Sequence, residues 1–381
     1  MTTSARRPLG RVATLVLAFV FAGCGSSSSS APSSTHSQTP SQTSAGATAL
    51  AGEVSSIRQT LQSGVDGHVF PGAVVVVRRG GQTRTLAVGR ADVAKGIAMT
   101  PADRFRMASI TKSMVAAVAL QLVAQGRLSL SDTVEKWLPG LLARGSDITV
   151  ADLLGQTSGL PAFQSTNAFA RMHGEPPPQD LVALVARAPL MFRPGSRSWY
   201  SNTNYLVLGL ILQKASHEPL PGLLQQKIFD PLGLHSASLA PTREDAPPLA
   251  HGYDHGKDVT PDLTWAWAAG GVVASAGDVA QFYDDLLAGK VVPGPLLRQM
   301  RSQRPETNHT LPFSGYGLGL GTLPTSCGTA YGHSGDAPGF IIHAWTSKDG
   351  ARSVVMAVNA SLTRAVDDYV VAVLDQALCG P

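Results

Sequence analysis

A serine and a lysine stand three positions apart in "FRMASITKSM", residues 105–114. On a helix this spacing puts Ser109 and Lys112 on one face, with the amine in reach of the hydroxyl. A serine at the helix start also lies at the positive end of the helix dipole, where developing negative charge is favoured. A lysine acts as a base only when neutral. Its ordinary pKa of about 10.4 must fall, through desolvation or nearby positive charge. The flanks "MA" and "SMVAAVAL" are apolar and favour desolvation. Taken alone, the pair equally fits an N-cap serine and a surface lysine.

Two further clusters carry complementary groups. "RSWYSNTNY" puts Tyr200 and Asn202 on one side of a short extended loop. Beside Lys112, the phenol can take or relay the serine's proton. The amide can hold Lys112 or bind a substrate carbonyl. Taken alone, an aromatic ring packed where a helix begins explains Tyr200 better. "YGHSGDAPGF" carries His333, Ser334, Gly335 and Asp336. On an edge strand lining a cleft, Gly335 lets substrate approach the backbone closely. The N–H of Asp336 can join that of Ser109 as an oxyanion hole. His333 can bond to the tyrosine or shuttle a proton to the leaving group. The string is not a G-x-S-x-G elbow, because Asp336 stands where the second glycine belongs.

Helices and strands must bring these clusters together. "LAGEVSSIRQTLQSGV" from Leu50 has helical apolar spacing, and "GAVVVVRRGGQTRTLAVGRAD" reads as a hairpin around Gly80-Gly81. The middle is mostly helical. "SMVAAVALQLVAQGRLSL" runs from the Ser109 region to near Gly126, followed by "TVADLLGQTSGLP", "YSNTNYLVLGLILQKASH" and "PGLLQQKIFDPLGL". "SAGDVAQFYDDLLAGK" has Ser275 as N-cap and Asp278 three residues on, an acidic capping box. "YGLGLGTLP", "AYGHSGDAPGFIIHAWTS" and "SVVMAVNAS" are three strand candidates, and "AVDDYVVAVLDQAL" is a closing helix. The expected architecture is α+β. The two ends, about 50–100 and 310–381, form one antiparallel sheet flanked by helices, with a helical insertion between them. Trp265 and Trp267 in "TWAWAAGG" either line the cleft or pack the helical part.

The three clusters now stand in one order: S-x-x-K, Y-x-N, H-x-G. That order resembles the penicillin-recognising serine hydrolases, the group of class C β-lactamases, D-alanyl-D-alanine carboxypeptidases and related esterases. "ITVADLLGQTSGLP", "LMFRPGSRSWYSNTNYLVLGLIL", "IFDPLGL", "AAGGVVASAGDVAQF" and "YGLGLG" resemble that family too, so the likeness runs over residues 50–381. It implies a β-lactamase/transpeptidase-like sandwich joined to an all-helical subdomain, with the cleft between them. It implies Ser109 as the acylated nucleophile, Lys112 as its base and Tyr200 as general base in acyl transfer. Asn202 would orient Lys112 and substrate, and His333 takes the place where many members have Lys. Ser334, Gly335 and Asp336 would bind substrate. Acylation and hydrolysis would then proceed without metal or organic cofactor, on a small-molecule or peptide acyl substrate. Members that bind a substrate carboxylate usually have Thr or Ser where Asp336 stands. A carboxylate there repels an anionic substrate end, and His333 removes a permanent positive charge. Both departures favour an esterase or amidase taking neutral or cationic acyl groups over a penicillinase or a strict carboxypeptidase.

The rest of the composition bounds the setting. The 381 residues are 44% hydrophobic and 15% charged, a globular balance. Of the 30 Lys and Arg residues, Arg6, Arg7 and Arg11 lie in the N-terminal segment, leaving 27 against 26 acidic residues. That balance shows no electrostatic footprint for nucleic acid. Residues 1–23 read as an export signal, with those arginines followed by "VATLVLAFVFA". "FAGC" resembles a bacterial lipobox with Phe21 where Leu is usual. Cys24 would then carry lipid and hold the protein on the outer side of the cell membrane. An ordinary signal peptide cut nearby is the alternative. Residues 24–48, rich in Ser, Thr, Gln and Pro, read as a flexible tether, and 49–381 as the hydrolase domain. Cys327 and Cys379 remain, and an exported chain favours their disulfide over two separate buried thiols.

Overall fold

The computed structural model describes residues 42–172, 174–239, 248–261, 263–305 and 313–380. The expected signal segment, Cys24 and the expected tether as far as residue 41 lie outside the described residues, and residues 42–48 of that tether are helical instead. The helix expected from Leu50 begins earlier, spanning Gln42–Asp66. It turns Leu50, Ile57 and Leu61 inward, and Glu53 bonds Arg79 at 3.0 Å.

Among the described residues, nine strands form one antiparallel sheet. Across it they run Ile97–Ala98, Gln82–Asp92, Gly72–Arg79, Arg352–Val358, Phe340–Ser347, Gly328–Ala337, Gly321–Thr325, Gly315–Tyr316 and Arg304–Pro305. The N-terminal strand therefore pairs with one from the C-terminal end, Ala73 opposite Val358 and Arg79 opposite Arg352. Gly80 and Gly81, at φ +56° and +79°, make the hairpin turn, because its two central residues both need positive φ. "AVVVV" is buried throughout because the sheet is covered on both sides. Ala73, Val75 and Val77 face a core shared with Gln42–Asp66 and the last helix, Arg364–Cys379. Val74 and Val76 face the larger core, shared with the helical part.

Two sequence expectations are corrected in detail. "AYGHSGDAPGFIIHAWTS" is two strands, not one, because Pro338 and Gly339 (φ +79°) turn the chain back on itself. The acidic capping box at Ser275 is only half formed. Ser275 Oγ accepts from Asp278 N at 3.1 Å, but the Asp278 carboxylate accepts from Ser236 N and Oγ instead. A complete box forms elsewhere, at Thr149 and Asp152. Cys327 and Cys379 are joined in a disulfide that ties the turn before Gly328–Ala337 to the end of the last helix.

The helix Thr111–Ala124 runs through the larger core and is buried on nearly every side from Thr111 to Leu120. Behind it, Ser113 Oγ donates to Gly319 O at 2.7 Å and accepts from Tyr283 OH at 2.9 Å. These bonds lock the "YGLGLG" loop against the helix.

Candidate active site

Ser109 stands in a short 3-10 turn, Ala108–Ile110, that feeds directly into Thr111–Ala124. Its neighbours Ala108 and Ile110 are buried, whereas Ser109 keeps partial access to solvent. Ala108, immediately before it, holds φ +45°, a conformation that costs an L-residue energy. That left-handed step presents the serine at the surface of an otherwise closed turn.

Lys112 is fully buried, and its Nζ lies 2.9 Å from Ser109 Oγ. The amine donates to Ala269 O at 2.6 Å. Desolvation pushes its pKa well below the ordinary lysine value. A neutral amine has one lone pair, and with a hydrogen committed to Ala269 that pair is free to accept the serine's proton. The carbonyl it uses follows Trp267, another strained residue at φ +37°. Of six non-glycine residues with positive φ among the described residues, three adjoin this site: Ala108, Gln156 and Trp267.

Tyr200 closes over the amine, its ring centroid 4.9 Å from Lys112 Nζ. The ring packs against Tyr316 at 5.9 Å, His333 at 6.1 Å and Phe313 at 6.3 Å. Asn202 opens the helix Asn202–Ser216 and does not bond Lys112. The Ala269 carbonyl does what the sequence reading gave to Asn202. Asn202 Oδ1 is buried without a partner.

His333 is at the site, bonded to a tyrosine, Tyr316, and not set up as the proton shuttle that was its other expected role. It is buried, donates from Nδ1 to Ser334 O at 2.5 Å, and accepts at Nε2 from Tyr316 OH at 3.0 Å. Burial first, and Lys112 beside it, push the imidazole down to about 3. With both nitrogens engaged and the ring neutral, His333 is not poised to shuttle a proton. It fills the space beside Lys112 without adding charge.

The rest of the motif strand divides between its faces. Gly335 packs on the serine's own turn: a Cβ there would collide with the Met107 carbonyl oxygen. Ser334 pairs with His343 and Asp336 with Ile341, so their side chains leave the opposite face from His333 and Gly335. Asp336 is exposed on that opposite face and has no ion-pair partner among the described residues. The protein around it still removes enough water to push its carboxyl up. Trp265 stacks edge-on with Phe163 and Phe169, and Trp267 lies over Gly209, so both tryptophans pack the helical part.

Sequence reasoning missed Ala269, Tyr316 and Gln156. Ala269 acts through its carbonyl, which any residue type supplies. Tyr316 and Gln156 lay inside phrases of the family but outside its three motifs.

Comparisons with known proteins bear on the family and the fold. The Beta-lactamase family profile matches residues 57–376. PbpX of Bacillus subtilis (strain 168), a relative bearing a penicillin-binding-protein name, is 32% identical over 296 residues, 76% of this chain and 71% of its own length. A D-stereospecific amidohydrolase from Streptomyces sp. superposes with a TM-score of 0.75 at 32% identity, covering 86% of this chain and 99% of that one. A D-amino acid amidase from Ochrobactrum anthropi SV3, solved with L-phenylalanine amide, gives a TM-score of 0.75 at 26% identity over 84% of this chain and 97% of that one. This chain therefore belongs to the Beta-lactamase family and is a serine hydrolase of that fold.

Proposed function

We propose that the protein hydrolyses small amides or esters through an acyl-enzyme on Ser109, with an amino-acyl group as the favoured acyl part. The carrying observation is the Ser109–Lys112 pair: 2.9 Å apart, the amine buried and held by a carbonyl, not by a carboxylate that would keep it charged. Neutral Lys112 takes the serine's proton as Oγ attacks the acyl carbon. Tyr200, over the amine, passes that proton to the leaving amine or alcohol. Water then attacks the acyl-enzyme by the reverse proton path and frees Ser109. One observation at the site favours a cationic or neutral acyl group over an anionic one: His333, beside Lys112, carries no charge to bind a carboxylate. The amide-cleaving neighbours support the same substrate class.

The test is intact-protein mass spectrometry with a fluorophosphonate, alongside turnover of D- and L-phenylalanine amide, a p-nitrophenyl ester, a D-alanyl-D-alanine peptide and a chromogenic cephalosporin. A single adduct on wild type, absent from Ser109→Ala, with amide or ester turnover, is the expected result. An adduct that persists in Ser109→Ala sinks the nucleophile assignment. Preferred release of D-alanine, or of the opened β-lactam, moves the reading to a D,D-carboxypeptidase or β-lactamase. A stable penicillin adduct without turnover of any substrate makes it a sensor. We propose as well that the protein is exported and anchored by lipid on Cys24. Mass spectrometry of the mature N-terminus tests this, and an unmodified soluble chain starting after Cys24 refutes it.

A further inference from the structure

Tyr200 lies in an irregular stretch before the helix Asn202–Ser216, so no helix or sheet ladder sets its backbone there. Besides the rings around its own, both of its chain neighbours are held, and by one residue. Trp199 N donates to Gln156 O at 2.9 Å, and Ser201 N donates to Gln156 Oε1 at 2.9 Å. The same Oε1 accepts from Asn204 Nδ2 at 2.6 Å, and Asn204 Oδ1 accepts from Ser158 Oγ at 2.5 Å. Two donors converge on one atom of the Gln156 amide, which fixes that atom as the oxygen.

The arrangement is costly. Gln156 is fully buried, holds φ +57°, and leaves its Nε2 buried without a partner. A residue serving only the turn would be glycine or asparagine, and one serving only the core would be apolar. Glutamine is what supplies an acceptor at this reach. We propose that Gln156 is the positioning residue for Tyr200. It grips the peptide units on both sides of the tyrosine and so keeps the phenol ring over Lys112, 4.9 Å from its amine. This rests on the reading that Ser109, Lys112 and Tyr200 form the acyl-transfer site.

Three variants of the full chain test it: Gln156→Met, of similar length but without an acceptor; Gln156→Glu, which keeps an acceptor oxygen in either protonation state; and Leu153→Ala, a cavity in the neighbouring helix as a stability control. The readouts are kcat and KM per folded protein, the rate of fluorophosphonate labelling, and hydrogen exchange at the Ser201 amide. Gln156→Met is expected to lose about 10²-fold in kcat and labelling rate, with KM changed less than about threefold, as a misplaced catalytic group would. Its Ser201 amide is expected to exchange at least about tenfold faster, the sign of a lost internal hydrogen bond. Gln156→Glu is expected to restore both, and Leu153→Ala to lose stability with unchanged kcat. The proposal is overturned if Gln156→Met labels at the wild-type rate, if Gln156→Glu is equally impaired, if Leu153→Ala reproduces the kcat loss, or if Ser201 exchange does not change. Failure of the wild type to label would instead remove the acyl-enzyme reading, and Ser201 exchange would still decide whether the clamp exists.

Discussion

At the scale of single residues, Lys112 carries two opposite demands. Its folded pKa is lowered, so the unfolded chain holds a proton that the folded site refuses over the interval below 10.5. Stability from this group is present above that value and is lost as pH falls toward the lowered one. At neutral pH the residue therefore costs stability while serving the proposed chemistry. Lys112→Met should lower kcat by about 10³-fold, the size of a lost general base, yet raise the melting temperature. Calorimetry and kinetics on the same preparation check both halves, and a lowered melting temperature contradicts the argument. Activity should also have its acid limb well below the ordinary lysine pKa, since only the neutral amine accepts the serine's proton. His333 and His343 give a second pH effect with the same sign. Burial lowers them to about 3 and about 4 from the ordinary 6.5. Their contribution is complete above 6.5 and is lost as pH falls below it. Thermal unfolding at pH 7.5 and pH 5 should show the lower value at pH 5, and His343→Gln should flatten the difference.

At the scale of elements, the site is a meeting of a turn, a loop and a strand, each braced by something outside its own motif. The strand Gly328–Ala337 can approach the serine's turn only because position 335 has no side chain. Gly335→Ala must push strand and turn apart, and should reduce kcat/KM by about 10²-fold, as displacement of a reacting group by a fraction of an ångström to an ångström does. Steady-state kinetics read this directly. The same strand is fastened at its start by the Cys327–Cys379 disulfide, 52 residues apart in sequence. A loop of that length is worth about 4 kcal/mol in the chain-entropy account, and disulfides typically contribute about 2–4 kcal/mol. The double variant Cys327→Ser/Cys379→Ser should lose a stability in that range by denaturant unfolding, and a loss near zero would show that the helix Arg364–Cys379 holds itself in place.

At the scale of the whole molecule, one sheet separates two cores, and the site opens from the larger one. Both cores are built from residues at or beyond Leu50. A chain beginning at Gln42 should therefore fold and turn over a soluble ester at the full chain's kcat/KM, while losing the proposed attachment to membranes. A fall in kcat/KM would mean that the first 41 residues serve the catalytic body. The sequence by itself determined a good deal: the hairpin at Gly80-Gly81, the pairing of the two chain ends in one sheet, the Ser109–Lys112 pair three residues apart and, by resemblance to known motifs, the family. The local features follow from short-range rules, namely backbone freedom at glycine and apolar periodicity. What only the tertiary structure decided were the properties set by distant neighbours. Ala269 O, 157 residues from Lys112, holds the amine that Asn202 was expected to hold. Burial keeps His333 neutral, and strand register turns Asp336 to the opposite face from the turn that carries Ser109. Protonation state and side-chain aim depend on which groups exclude water from which, and no local stretch of sequence contains those partners.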